Sequence, residues 1–282
     1  MNEPRLKEVI AVVNAKGGVG KTTTVQNVAA GLIRWNQNHR VLIIDLDAQR
    51  NASYLMGWNN EDEEANRPTV YEAMRTGGSL PVYPAETNDG KVRRGLFYCP
   101  ASKYLEIVSS DLYKFMNSKM VLAQCFQHPL ALYGMSQNDY TLPQTVMDFD
   151  YILLDCPPAM SEVTYNAMGV ASSLIIPMQL EGMAVQGLAD LISVYKTVHD
   201  QLNPNLELMG ILKVMTQDRL NTSKGFSDML ESQFEDKVFR SRIRRSNKIN
   251  EAQTLRQHIF EYAPKSPAAQ DYDDLVREIV NN

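Results

Sequence analysis

Glu8–Thr23, EVIAVVNAKGGVGKTT, is a short apolar run, then a glycine-rich turn, then the start of a helix. Glu8–Asn14 has the uninterrupted β-branched character of a strand buried on both faces. Gly17, Gly18 and Gly20, with Val19 among them, let the backbone wrap closely with its N–H groups turned inward. Lys21–Trp35 carries Val25, Val28, Ala29 and Leu32 at helical spacing and reads as an amphipathic helix. A helix N-terminus directly after such a turn favours an anion through its dipole and open N–H groups. Lys21 supplies a point charge to the β- and γ-phosphates, and the Thr22 hydroxyl is placed to ligate Mg²⁺. The stretch is therefore a phosphate-binding loop rather than an ordinary glycine turn.

Outward from the loop, Arg40–Asp45 (RVLIID) is a second buried strand, which closes a strand–helix–strand unit. Asp150–Cys156, Ser173–Met178 and Leu206–Met215, with Gly210 inside it, repeat the pattern, and Leu96–Cys99 is a weaker instance. Helical patterns lie between or after them, notably Ala184–Gln201 and Asp271–Val280. The alternation predicts an α/β chain: a mostly parallel twisted sheet with helices on both faces, a P-loop NTPase fold. Ligands in such folds sit at the carboxyl ends of the strands. The 282 residues, 44% of them apolar, suit one domain spanning 1–282, since single cores stop growing near roughly 250–300 residues. Asn59–Arg67 reads as a solvated acidic loop and His128–Pro143 as a loop or insertion.

Asp155 ends the apolar run Tyr151–Leu154 and precedes Cys156-Pro157-Pro158. A carboxylate at the end of a buried strand is costly unless it meets a cation, and Mg²⁺ reached through a shared water supplies one. Cys99, Cys125 and Cys156 are scattered without CxxC spacing, which argues for reduced thiols in the cytoplasm and against a disulfide framework or zinc site. No apolar run is long enough for a transmembrane helix, and the N-terminus lacks the features of a signal peptide. No room is left before the first strand for a helix-turn-helix domain. The net charge of −5 carries no argument for nucleic acid, but six basic residues, Lys237, Arg240, Arg242, Arg244, Arg245 and Lys248, fall in one acid-free stretch. Such clustering is the footprint of sequence-independent phosphate binding.

KGGVGKTT resembles the deviant Walker A box of the ParA/MinD superfamily, whose extra lysine corresponds to Lys16. The resemblance implies that Lys16 reaches across a nucleotide-sandwich homodimer to the partner's phosphates. Asp45-Leu46-Asp47-Ala48-Gln49 is similar to the family's D-x-D-P-Q switch, with Ala48 for proline and Arg50 for the following glycine. On that resemblance Asp45 lies near Mg²⁺ and Asp47 orients the attacking water. DCPP matches the ParA spelling at Asp155. Pro177–Leu188 resembles a ParA segment at the dimer face. Gly210–Arg219 resembles the strand and loop bearing the base pocket, which brings in Met215, and a DNA-contacting arginine, here Arg219. Ile243–Ala252 resembles I-P-R-N-x-R-L-x-E-A, with Arg244 for proline, and places Arg245 at the base. The resemblance covers most of the chain; 59–95 and 128–143 look private to it.

The implied function is a ParA-like ATPase using ATP and Mg²⁺. Its expected partners are a second copy of itself, nonspecific double-stranded DNA through Arg219, Arg242, Arg245 and Lys248, and a ParB-like centromere-binding protein, with the protein cytoplasmic and nucleoid-associated. The alternative is a MinD-like positioning ATPase for another cargo or the membrane, but Asp271–Asn282 holds four acids and one arginine, which anionic lipid repels. An iron–sulfur carrier needs thiolates at a dimer face, which the three cysteines do not offer. A metabolic P-loop ligase or kinase needs a substrate pocket, and a scaffold without turnover is separated by a hydrolysis assay.

Overall fold

The computed structural model describes residues 5–59, 61–62, 65–112, 114–135, 142–180, 184–217 and 229–282. Its strands are β1 (Glu8–Val12), β2 (Val41–Asp45), β3 (Pro81–Glu86), β4 (Val92–Cys99), β5 (Ala131–Leu132), β6 (Tyr151–Asp155), β7 (Ser173–Gln179), β8 (Glu207–Thr216) and β9 (Val238–Arg244). They form one sheet in the order β5-β3-β4-β2-β6-β1-β7-β8-β9, and every pairing is parallel except β3 with β4.

The buried strands alternate between two cores, as a pleated sheet covered on both sides must. Val9, Ala11, Leu42, Ile44, Ile152 and Leu154 belong to one core; Ile10, Val12, Val41, Ile43, Tyr151 and Leu153 belong to the other. The second core is closed by α1 (Lys21–Trp35), α2 (Asn51–Met56) and the C-terminal helix Pro267–Val280. That last helix buries Tyr272, Leu275, Val276 and Ile279, each worth roughly 1.5–3 kcal/mol when taken fully out of water. Its approach to α1 depends on Gly31, where a Cβ would stand 2.5 Å from Val276 Cγ2.

The sheet is wider than the sequence suggests. The weak strand at Leu96–Cys99 extends back to Val92, and Pro81–Glu86 forms β3 despite two prolines. Pro81 is the first residue of β3, and Pro84 adjoins the register shift with β4 between Pro84 and Glu86, two positions where a strand tolerates proline. Ala131–Leu132 within the expected 128–143 loop adds the edge strand β5. The acidic segment 59–67 is not wholly solvated: Asp62 is buried, accepts from Asn59 N at 3.0 Å and pairs with Arg67 at 2.7 Å.

Candidate nucleotide site

β1, β2 and β6 run parallel, so their carboxyl ends fall together and place the glycine loop, Asp45 and Asp155 at one edge. Gly18 and Gly20 take left-handed φ of 74° and 75°, which only glycine adopts without strain. Gly20 caps α1 with no side-chain bond, so the first N–H groups of a fifteen-residue helix face the loop's interior.

Lys21 is buried, and its ammonium donates to the Lys16 carbonyl at 3.2 Å. Burial pushes its pKa down, and Asp155 pulls it back up. Thr22 Oγ1 donates to Asp155 Oδ2 at 2.7 Å, while Asp155 Oδ1 is buried with no hydrogen-bond partner. Burial first, and the Asp45 carboxylate second, hold the Asp155 carboxyl well above the usual carboxylate range. Asp45 stands beside it in strand register. Its Oδ2 accepts from Ser53 N and Oγ, both at 2.7 Å, and its Oδ1 accepts from Asp47 N at 3.1 Å. Burial still pushes Asp45 up to about 6. A dication beside these two adjacent buried carboxylates, one of them with an orphaned oxygen, would offset the cost of their charges. Among the described residues no group of three or more His, Cys, Asp or Glu could hold a metal. The Thr22 hydroxyl beside Asp155 and Asp45 is a donor set that fits Mg²⁺, which takes one or two protein carboxylates and fills its shell with phosphates and water.

The glycine loop opens into a cavity of about 820 Å³, within the size range of small-molecule sites. It is lined by Gly17, Gly18, Gly20, Lys21, Thr22 and Thr23 at the phosphate end, by Asp47, and by Met215, Arg244 and Arg245 from the ends of β8 and β9. Met215 has a φ of 53°, an uncommon backbone state for a residue with a side chain. Asp47 Oδ1 accepts from Gln49 N at 3.0 Å, which fixes the carboxylate's orientation. Lys16 is exposed and stands outside the lining; Val19 is buried.

A family model described as an AAA domain matches residues 7–208. The chain is 31% identical over 276 residues to the sporulation initiation inhibitor protein Soj of Bacillus subtilis, covering 98% of this chain and 99% of that protein. It is also 31% identical over 273 residues to the chromosome partitioning protein ParA of Caulobacter vibrioides, covering 97% of this chain and 94% of that one. The chain belongs to the ParA family of ATPases. The fold is shared more widely: cobyrinic acid a,c-diamide synthase of Mycobacterium smegmatis, solved with an ATP analog and magnesium, superposes with a TM-score of 0.73 at 24% identity, covering 98% of this chain and 95% of that one.

Several cavity residues of this ParA-family chain are not marked in its sequence. Asn250 and Gln253, on the helix Asn247–Thr254, line the cavity, and Gln253 Nε2 donates to Thr23 Oγ1 at 2.9 Å. Tyr54 lines the mouth under the Arg256 guanidinium, 3.7 Å from its ring centre. The resemblance of Ile243–Ala252 to a family motif brought the segment into view; the polar face of its helix was visible only once folded.

The basic stretch is partly neutralised. Arg244 is bound to the buried Asp271 through its backbone N at 2.9 Å and its side chain at 2.5 Å. Lys248 pairs with Glu251 at 2.7 Å and lies over Tyr262. Arg240 and Arg242 are exposed at i, i+2 on the sheet-edge strand β9, and Arg245 is exposed at the cavity mouth. Arg219 and residues 181–183 of the Pro177–Leu188 segment lie outside the described residues.

Proposed function

We propose that this chain is an ATP-driven switch for DNA partition. It binds ATP with Mg²⁺, closes into a nucleotide-sandwich homodimer, binds duplex DNA without sequence preference in that state, and resets by hydrolysis. The observation that carries the reading is the bond from Thr22 to Asp155, whose other oxygen is orphaned, just behind a cavity that Lys21, Thr22 and Asp47 line. The cargo is a plasmid or chromosome, in keeping with the Caulobacter relative's name, and the partner is a ParB-like centromere-binding protein. The protein works in the cytoplasm on the nucleoid.

The loop N–H groups and Lys21 bind the phosphates. Thr22, Asp155 and Asp45 would hold Mg²⁺, which would supply charge neutralisation on the phosphate oxygens. Asp47, oriented by Gln49 N, has its second oxygen left to align a water. Phosphoryl transfer needs mainly such positioning and charge. A membrane role gains nothing from the C-terminal helix, whose apolar face is already buried in the core.

The exposure of Lys16 outside its own cavity supports its role in the partner's site. Lys16→Ala should bind ATP near normally yet stay monomeric in light scattering with ATP; dimerisation that survives the change removes the cross-dimer role. DNA binding tests the rest. Two copies of Arg240, Arg242 and Arg245 on one dimer give avidity that one copy lacks, so ATP should strengthen binding to a random-sequence duplex. Affinity should fall steeply with salt as counterions are released. Arg242→Glu, on β9 outside the nucleotide cavity, should weaken binding to all sequences alike while dimerisation persists. Fluorescence anisotropy in ATP and ADP across a salt series reads this, and equal binding in both nucleotides, or no loss on charge reversal, returns the stretch to a solvated face.

A further inference from the structure

Arg93, on β4, lies in the 59–95 stretch that looks private to this chain, and its side chain is only 7% exposed. A buried guanidinium is costly unless its donors are satisfied. All five of its N–H donors are. Nε and Nη2 hold the Glu261 carboxylate in a fork at 3.0 and 3.1 Å. Nη1 donates to the carbonyls of Leu55 at 3.1 Å and Glu86 at 2.8 Å, and Nη2 also donates to the Arg256 carbonyl at 2.6 Å. Leu55 lies in the last turn of α2, where a helix leaves its carbonyls open and favours a cation. Arg256 stands just past the helix Asn247–Thr254, with a left-handed φ of 52°. These two helices are walls of the nucleotide cavity: Tyr54 and Leu55 line it from α2, Asn250 and Gln253 from the other. Two further contacts reinforce the junction. The Arg256 guanidinium lies 3.7 Å from the Tyr54 ring centre, and Asn88, in the turn between β3 and β4, donates to the Leu255 carbonyl at 2.8 Å. Burial pushes the Glu261 carboxyl up, but bonds from His258 and Arg93 outweigh it and hold it at about 2, so the ion pair persists at neutral pH.

We propose that Arg93 is a positioning residue for nucleotide retention: it ties the C-terminal ends of both wall helices to one buried guanidinium and so fixes the width of the cavity around a bound nucleotide. A rigid fork of five donors reaches four acceptor residues at once, which the point charge of a lysine does not. The hydrolytic end of the cavity is held without it. Ser53 bonds Asp45, and Thr22 bonds Asp155, through contacts in which Arg93 has no part. Breaking the clamp therefore loosens the walls and leaves the phosphate end in place. The proposal rests on the reading of this cavity as the nucleotide site.

Two variants of the full chain test it. Arg93→Ala removes every contact but strands the Glu261 charge, which threatens folding. Arg93→Gln combined with Glu261→Gln removes both charges together, and a glutamine still closes the capping box with His258. Dissociation of a fluorescent ADP analogue with Mg²⁺ is followed by stopped flow, and the hydrolytic step by single-turnover cleavage of saturating ATP. Thermal unfolding without nucleotide reports the structural cost separately. Dissociation should quicken at least about tenfold in each variant that folds, while the single-turnover rate stays within about threefold of the parent. An unchanged dissociation rate in a folded variant, however much its Tm falls, overturns the proposal and leaves Arg93 a structural residue only. A single-turnover rate that falls while dissociation stays slow overturns it too, since the residue then acts on the chemistry. A parent protein that does not bind the ADP analogue overturns the nucleotide reading and the clamp with it, whereas a parent that binds and variants that release no faster overturn the clamp alone.

Discussion

Lys21→Ala should lower ATP affinity by about 10- to 150-fold, the equivalent of one charge-assisted hydrogen-bonded contact of roughly 1.5–3 kcal/mol. Lys21 is the buried cation of the phosphate end, held over the loop by the Lys16 carbonyl and facing Asp155. Its burial is a cost in the empty protein, since desolvation lowers the ammonium's pKa. That cost is recovered when a phosphate arrives, so removing the lysine should hurt nucleotide binding far more than it hurts folding. Isothermal titration calorimetry with ATP and Mg²⁺ measures the first, and thermal unfolding without nucleotide measures the second. ATP affinity that is unchanged in a folded variant removes the phosphate-loop assignment.

Asp47→Ala should leave ATP affinity within a few-fold of the parent and slow hydrolysis by about 10²- to 10⁴-fold, the usual contribution of a positioned acid–base group. Unlike Asp45, whose oxygens are engaged by Ser53 and the Asp47 amide, Asp47 lines the cavity and uses one oxygen on Gln49 N. On the proposed role, its loss removes a water-orienting group without removing a phosphate contact. With turnover blocked, the ATP-bound dimer should accumulate, so light scattering in ATP is the second readout. A variant that hydrolyses normally, or stays monomeric in ATP, places the water-orienting role elsewhere. Asp45→Ala is the contrasting change: it strips the acceptor from Ser53 N and Oγ and should disturb the whole switch segment.

The phosphate loop, the four central strands and the end-of-strand carboxylates were legible because each is a local pattern. A buried parallel strand is written as a continuous apolar run, and β1, β2, β6 and β7 come out within two residues of their expected bounds at either end. β3 and β9 were harder for a stated reason. Pro81 and Pro84 break the apolar pattern of β3, while β9 carries alternating arginines because it is an edge strand with one solvated face. Neither is a good strand by itself; each forms because β4 or β8 supplies its hydrogen bonds.

By itself the sequence determined the fold class and the glycine loop between a buried strand and a helix, since each follows from residues close together in the chain, whereas the pairing of Asp45 with Asp155 is a contact between separate strands. The tertiary structure decided the rest. It left Asp155 with an orphaned oxygen and gave Asp45 to Ser53. It tied Arg244 to the buried Asp271 and paired the exposed Lys248 with Glu251 at the surface, which the run of charge counted in sequence does not show. It brought Gln253 to Thr23 across 230 positions. These contacts are non-local, and a hydrogen bond or ion pair is specified by where two backbones place their side chains in space, which residue type and spacing along one segment do not encode.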